Sequence, residues 1–172
     1  MKLKAFICLL WLLLCTGDTM LTQFADNAKD RLKQVVEAAV QVWGNNAQAK
    51  LAATQAVLES GLLGKVSSLA KTHNNLFGIK GSGTAGSVRL KTREVFDGNE
   101  TYIMAPFAKN NTIADSFEQH KKLLSNKRYK KVMAATSFEH AATEVRLAGY
   151  ATDPKYPQKL VDTYNKYLKE LF

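Results

Sequence analysis

A mainly helical α+β fold with one small β-hairpin is what the sequence predicts, from three observations. Apolar residues recur at helical spacing over most of the chain, one stretch near the middle has β character, and an Asp-Gly pair interrupts that stretch. The chain has 172 residues, 46% of them apolar, which suits one domain with a real core. Only three prolines occur, and no stretch of roughly 20 to 50 residues recurs, so neither disorder nor a repeat array is expected.

From Thr22, the positions Phe24, Ala28, Leu32, Val35, Ala39 and Val42 fall on one helical face, with Asp26, Lys29, Asp30 and Lys33 opposite. "WGNN" at 43–46 breaks this helix. A second runs from Ala47 to Ser60, where Ala49, Ala52, Ala53, Ala56 and Val57 form a small-residue face that lets a neighbour approach closely. This helix is expected to be central and buried, and Gly61 stands where a helix-stopping glycine belongs. "NNLFGIKGSGTAGS" is too rich in Gly, Asn and Ser for a helix. The segments 88–95 and 101–107 read as strands around Asp97-Gly98, a strong hairpin signal. Helices follow at about 113–126, 128–134, 137–148 (ending at Gly149) and 157–171. Helices, a hairpin, then helices imply two unequal lobes with a ligand groove between them.

The amino terminus opens with Lys2 and Lys4, runs apolar from Ala5 to Cys15, then turns small and polar. That order predicts a signal peptide or membrane-targeting segment over 1–17, leaving a single domain over 18–172. A retained tether is the alternative, and an apolar first helix packed on the domain is the bland one. Large residues before Cys15 make it a poor lipidation site. Both cysteines, Cys8 and Cys15, lie in this leader, so removing it leaves no thiol for a disulfide or a nucleophile.

The net charge is +9, from 24 Lys and Arg against 15 Asp and Glu. Such a surface favours polyanionic partners, although solubility alone also accounts for it. No zinc-finger spacing or RNA-binding aromatic motif accompanies the lysines, and nucleic acid is not an expected partner. His73, His120 and His140 lack metal-ligand spacing, and each reads as structural or solvated; no GxSxG or phosphate loop occurs. Carboxylates remain. Glu59, in "AVLESGLLG", stands at a helix C-terminus among Leu58, Leu62 and Leu63. Partial desolvation and the helix end would both disfavour its charged form and keep it ready to protonate a leaving oxygen. On spacing alone, an ordinary surface glutamate is the competing reading.

The stretch "LAATQAVLESGLLGKVSSLAKTHNNLFGIKG" resembles the active-site region of the β-N-acetylglucosaminidases of glycoside hydrolase family 73. The resemblance continues through "KTREVFDGNETYIMAPFAKNNTIADSFEQHKKLL" and "GYATDPKYPQKL", covering roughly residues 47–170. It implies a lysozyme-like fold, with the hairpin lobe over the active-site groove, and hydrolysis of peptidoglycan without metal or organic cofactor. Glu59 matches the family's catalytic acid and Glu94 a second, assisting carboxylate; without the resemblance Glu94 is an exposed strand residue beside Arg93. Whether the reaction inverts or uses the substrate's own N-acetyl group stays open. Tyr150 matches a tyrosine that shapes the sugar subsite, and Asn75 and Phe77 would line the floor. The Asn side chains could equally hold their own loop, and Tyr156 reads as packing for the last helix.

Two departures stand out. Leu62, Leu63 and Gly64 follow Gly61 where many members have Trp-Gly, and Gln119 replaces an acid before His120, leaving Glu94 the better second carboxylate and Asp115 a distant third. The implied bond is the β-1,4 linkage between N-acetylglucosamine and N-acetylmuramic acid, with an endo-acting enzyme. A muramidase or lytic transglycosylase on the same fold is the alternative, and a non-catalytic wall-binding or phage-tail component a second one. Peptidoglycan strands and the anionic bacterial envelope are the expected partners, a monomer the expected state, and the periplasm, the cell wall or a phage host's envelope the expected place. The absence of wall-binding repeats leans towards a phage lysin.

Overall fold

The computed structural model of the protein describes residues 27–96 and 99–172, without the side chains of 94–96 and 99. The segment 1–17, the first turns expected from Thr22 and the Asp97-Gly98 turn lie outside the described residues. Helices α1 (Ala28–Trp43), α2 (Ala47–Ser60) and α3 (Ser68–His73) come first, followed by strands β1 (Ser87–Phe96) and β2 (Asn99–Ala108). Helices α4 (Ile113–Leu124), α5 (Lys130–Ala134), α6 (Phe138–Leu147) and α7 (Tyr156–Thr163) complete the chain. A 3-10 turn, Lys127–Tyr129, leads into α5. The fold is lysozyme-like: the described residues are mostly helical with one two-stranded antiparallel sheet.

Helix α2 is the axis. Asn46 caps it, its side chain accepting from the Ala49 N–H at 2.9 Å while its amide donates to the Trp43 carbonyl at 2.7 Å, which also fixes the corner from α1. Eleven of its 14 residues are buried, and α1, α6 and α7 pack around it. Its alanines make that possible, since they let helices approach on several sides without clash. The buried polar side chains of α2 each find a partner. Gln48 donates to the Val132 and Ala135 carbonyls at 3.0 and 2.9 Å, and Thr54 and Ser60 bond carbonyls one turn back.

The helix ends as the sequence predicts. Gly61 has φ +71°, and its N–H bonds the Val57 carbonyl. A Cβ at this position would stand 2.6 Å from the Lys65 carbonyl oxygen, so both conformation and space demand glycine. This turn also sends Leu62 wholly into the core and leaves Leu63 at the surface.

The hairpin pairs Ser87 with Ala108 at its root and Phe96 with Asn99 at its far end. Ala105, Phe107 and Ala108 are buried, whereas Tyr102, Ile103 and Met104 are exposed, so the hairpin is anchored at its root. Asn75 holds that root, as its amide donates to the Ile79 and Ala108 carbonyls and its oxygen accepts from the Ile79 N–H. The last helix differs from the continuous 157–171 expected. It leaves α geometry after Thr163 for a π turn, Tyr164–Leu168, and a 3-10 turn, Lys169–Leu171, with Tyr164 and Leu168 still buried.

Aromatic rings run from the core towards the end of α2. The His120 ring stacks on Phe77 at 4.1 Å and meets Trp43 and Tyr150 edge-on, and Tyr150 stacks on Tyr156 at 6.1 Å. Both His120 nitrogens are buried without a partner among the described residues. Burial pushes this imidazole down from 6.5 to about 3, so it stays neutral in the native protein.

Two outcomes follow from these features. Gly61→Ala should cost about 2 kcal/mol or more in urea unfolding, because a left-handed alanine is strained and its methyl meets a carbonyl. For His120, the unfolded chain binds a proton between pH 6.5 and about 3 that the folded chain refuses. Stability should therefore fall on acidification through that window, by up to roughly 1.4 kcal/mol per pH unit. Unfolding curves of wild type and His120→Phe at several pH values test this; the variant's slope should be flatter.

Candidate functional site

Glu59 occupies the last turn of α2, where the axis helix reaches the surface. The desolvation expected from its leucine neighbours is not found. Glu59 is exposed, because the Gly61 turn rolls Leu62 into the core while Leu58 is half-buried and Leu63 is 40% exposed. A different feature holds the carboxylate: the Tyr156 hydroxyl donates to its Oε1 at 2.8 Å. Tyr156 opens α7 and is buried at 7% exposure, so a rigid ring presents that hydroxyl. Gln55, one turn before Glu59 on α2, donates its amide N–H to the same hydroxyl at 3.2 Å.

Burial, then the nearby Glu59 charge, pushes the Tyr156 hydroxyl well above its ordinary range, and the same two causes in the same order act on Tyr150. Both causes favour the neutral hydroxyl in each tyrosine. Tyr150, half-buried, stands between His120 and Tyr156. Its loop is tied at both ends. Arg128 donates to the Ala148 and Gly149 carbonyls at 3.0 and 2.8 Å. Asp153 takes the Lys159 ammonium at 2.6 Å and the Lys155 N–H at 2.8 Å. Those contacts, the Lys159 hydrogen bond foremost, hold the Asp153 carboxyl below its ordinary 3.8.

The structure thus brings together Glu59, Tyr150 and Tyr156. Phe77 is a buried ring against Phe117 and His120, and His120 in turn meets Tyr150. Asn75 is 1% exposed with its polar atoms engaged by backbone, so of its two readings the loop-holding one is observed. Glu94 pairs with Thr101 in the hairpin. Along β1, positions 88, 90 and 92 are half-buried, while 89, 91 and 93 are exposed. Arg93 pairs with Glu100 across the hairpin. Gln119 links Asn110 to the Ser82 carbonyl, and Asp115 closes the capping box of α4 while accepting from Thr84, so both have structural partners. His73 and His140 lie at other places on the surface of the helical body, and no cluster of three potential metal ligands forms among the described residues.

Sequence reasoning missed two members of the site. Tyr156 was read as helix packing, and Gln55 drew no attention in an alanine-rich helix. The signal available was spacing: Gln55 and Glu59 are four apart, hence on one helical face.

Known proteins match this chain in sequence and fold. The family model described as mannosyl-glycoprotein endo-beta-N-acetylglucosaminidase matches residues 34–169. The exo-glucosaminidase LytG of Bacillus subtilis is 39% identical over 119 residues, covering 66% of this chain and 42% of LytG. The chain spans less than half the length of the curated relatives it matches. Among solved structures, the catalytic domain of the autolysin Auto from Listeria monocytogenes superposes with TM-score 0.74 at 30% identity, covering 86% of this chain and 89% of that one. A C-terminally truncated glycoside hydrolase domain of Salmonella typhimurium FlgJ gives 0.60 at 27% identity, covering 84% of this chain; it is 99% covered in turn. With the family model matching most of its length and a catalytic domain superposing over nearly all of its fold, the chain belongs to the glucosaminidase family of glycoside hydrolases, family 73.

Proposed function

We propose that this protein hydrolyses peptidoglycan as an endo-β-N-acetylglucosaminidase, cutting the β-1,4 bond that follows N-acetylglucosamine. The observation that carries the reading is Glu59: an exposed carboxylate on a rigid buried helix, held at one oxygen by Tyr156 beside the ring of Tyr150. A carboxyl so placed can reach a substrate and is fixed enough to deliver a proton in one direction. Glu59 protonates the leaving glycosidic oxygen, the bond to the anomeric carbon breaks, and water completes hydrolysis. Tyr150 offers a ring to the apolar face of a sugar. Glu94 assists by orienting water or by stabilising positive charge on the sugar.

The names of the relatives support the substrate: FlgJ proteins are called peptidoglycan hydrolases, and others autolysins. The net charge of +9 would hold the enzyme on an anionic envelope, and that attachment weakens with salt. We further propose that residues 1–17 direct export and that 18–172 form the catalytic domain, acting in the periplasm or cell wall, or as a phage-encoded lysin.

Glu59→Gln should lower the rate of peptidoglycan clearing by about a thousandfold while leaving the melting temperature unchanged. A variant as fast as wild type would remove Glu59 from the chemistry. Mass spectrometry of borohydride-reduced digests reads the bond: reduced glucosamine ends are expected, and reduced muramic acid ends would indicate a muramidase. Long soluble fragments early in digestion mark endo action, in contrast to the single sugars or disaccharides an exo enzyme releases.

A further inference from the structure

Gln55 is 0% exposed on the face of α2 that carries Glu59. Its Nε2 donates to the Tyr156 hydroxyl at 3.2 Å, and that hydroxyl donates to Glu59 Oε1 at 2.8 Å. A tyrosine hydroxyl has a single proton to give. With the Gln55 N–H on the oxygen, that proton points to the carboxylate. Turned over, the same amide would take the Tyr156 proton for itself and leave Oε1 without its donor. Glu59 Oε2, by contrast, has no protein partner among the described residues.

The amide is also costly where it stands. Gln55 Oε1 is buried with no hydrogen-bond partner among the described residues. An orphaned buried carbonyl is destabilising, and an unbranched apolar side chain of the same length would avoid that cost. Packing alone therefore gives no reason for glutamine here.

We infer that Gln55 is a positioning residue for the acid: by fixing Tyr156 as a donor to Oε1, it confines the transferable proton of Glu59 to Oε2. The inference rests on the reading of Glu59 as the proton donor. In the step itself the Oε2–H bond breaks and an O–H bond forms on the glycosidic oxygen, which keeps the electron pair of its broken bond to the sugar. The negative charge left on the carboxylate spreads to Oε1, where the Tyr156 hydroxyl meets it. A hydroxyl polarised by the Gln55 N–H meets that charge more strongly, and the gain grows as the charge develops.

The test is a cycle of Gln55→Met, Tyr156→Phe and the double variant in the full chain, with Glu59→Gln alongside. Gln55→Met should melt at or above the wild-type temperature, since it removes the orphaned carbonyl. Its kcat should fall about tenfold with KM within about twofold, and the alkaline limb of its pH–rate profile should move upward. In the Tyr156→Phe background the same change should have no further effect on kcat. If Gln55→Met melts lower, Gln55→Leu supplies the same comparison in a second apolar side chain. Wild-type kcat and pH profile in the folded Gln55 variants, with Glu59→Gln inactive, would overturn this inference alone. So would losses that multiply in the double variant, because Gln55 would then act by a route other than Tyr156. An active Glu59→Gln would instead overturn the reading on which it rests.

Discussion

Everything at this site depends on the burial of one helix on nearly all sides. Helix α2 has no solvent face along most of its length, so its polar residues must be satisfied internally and only its end meets water. That constraint explains why alanine dominates the helix, why Gln48 reaches the end of α5 and why Gln55 reaches Tyr156. It also explains why Glu59 can be both exposed and well placed. Its backbone belongs to the core while its carboxylate belongs to the surface, a combination that a loop residue could not offer.

Around this axis the chain divides its labour. The aromatic column from Trp43 to Tyr156 and the tied loop at 148–159 make a stiff wall. The hairpin is held at its root by Asn75 and the backbone of Ile79, with Tyr102, Ile103 and Met104 exposed further along.

Much of this was legible in the sequence because it rests on local rules. Asn46 and Gly61 gave α2 its limits, and the flanks of Asp97-Gly98 gave the hairpin its strands, since caps and turns are decided by a few adjacent residues. Glu59 was found through its place at a helix end and through resemblance, but its surroundings were misjudged. Three leucines nearby in sequence do not stay together once a left-handed glycine turns Leu62 inward. Tyr156 was undervalued for a related reason. Its link to Glu59 spans 97 positions, and no periodicity or spacing rule reaches so far.

That same separation has a temporal side. On the ribosome, Glu59 and its whole helix emerge almost a hundred residues before the tyrosine that orients the carboxylate. Until α7 has been made and docked, Glu59 lacks the hydroxyl that donates to its carboxylate. Domains generally fold as units, and this contact forms only once α7 is in place. A partial or proteolysed chain that lacks α7 would carry Glu59 on a finished helix without the hydroxyl that holds its carboxylate.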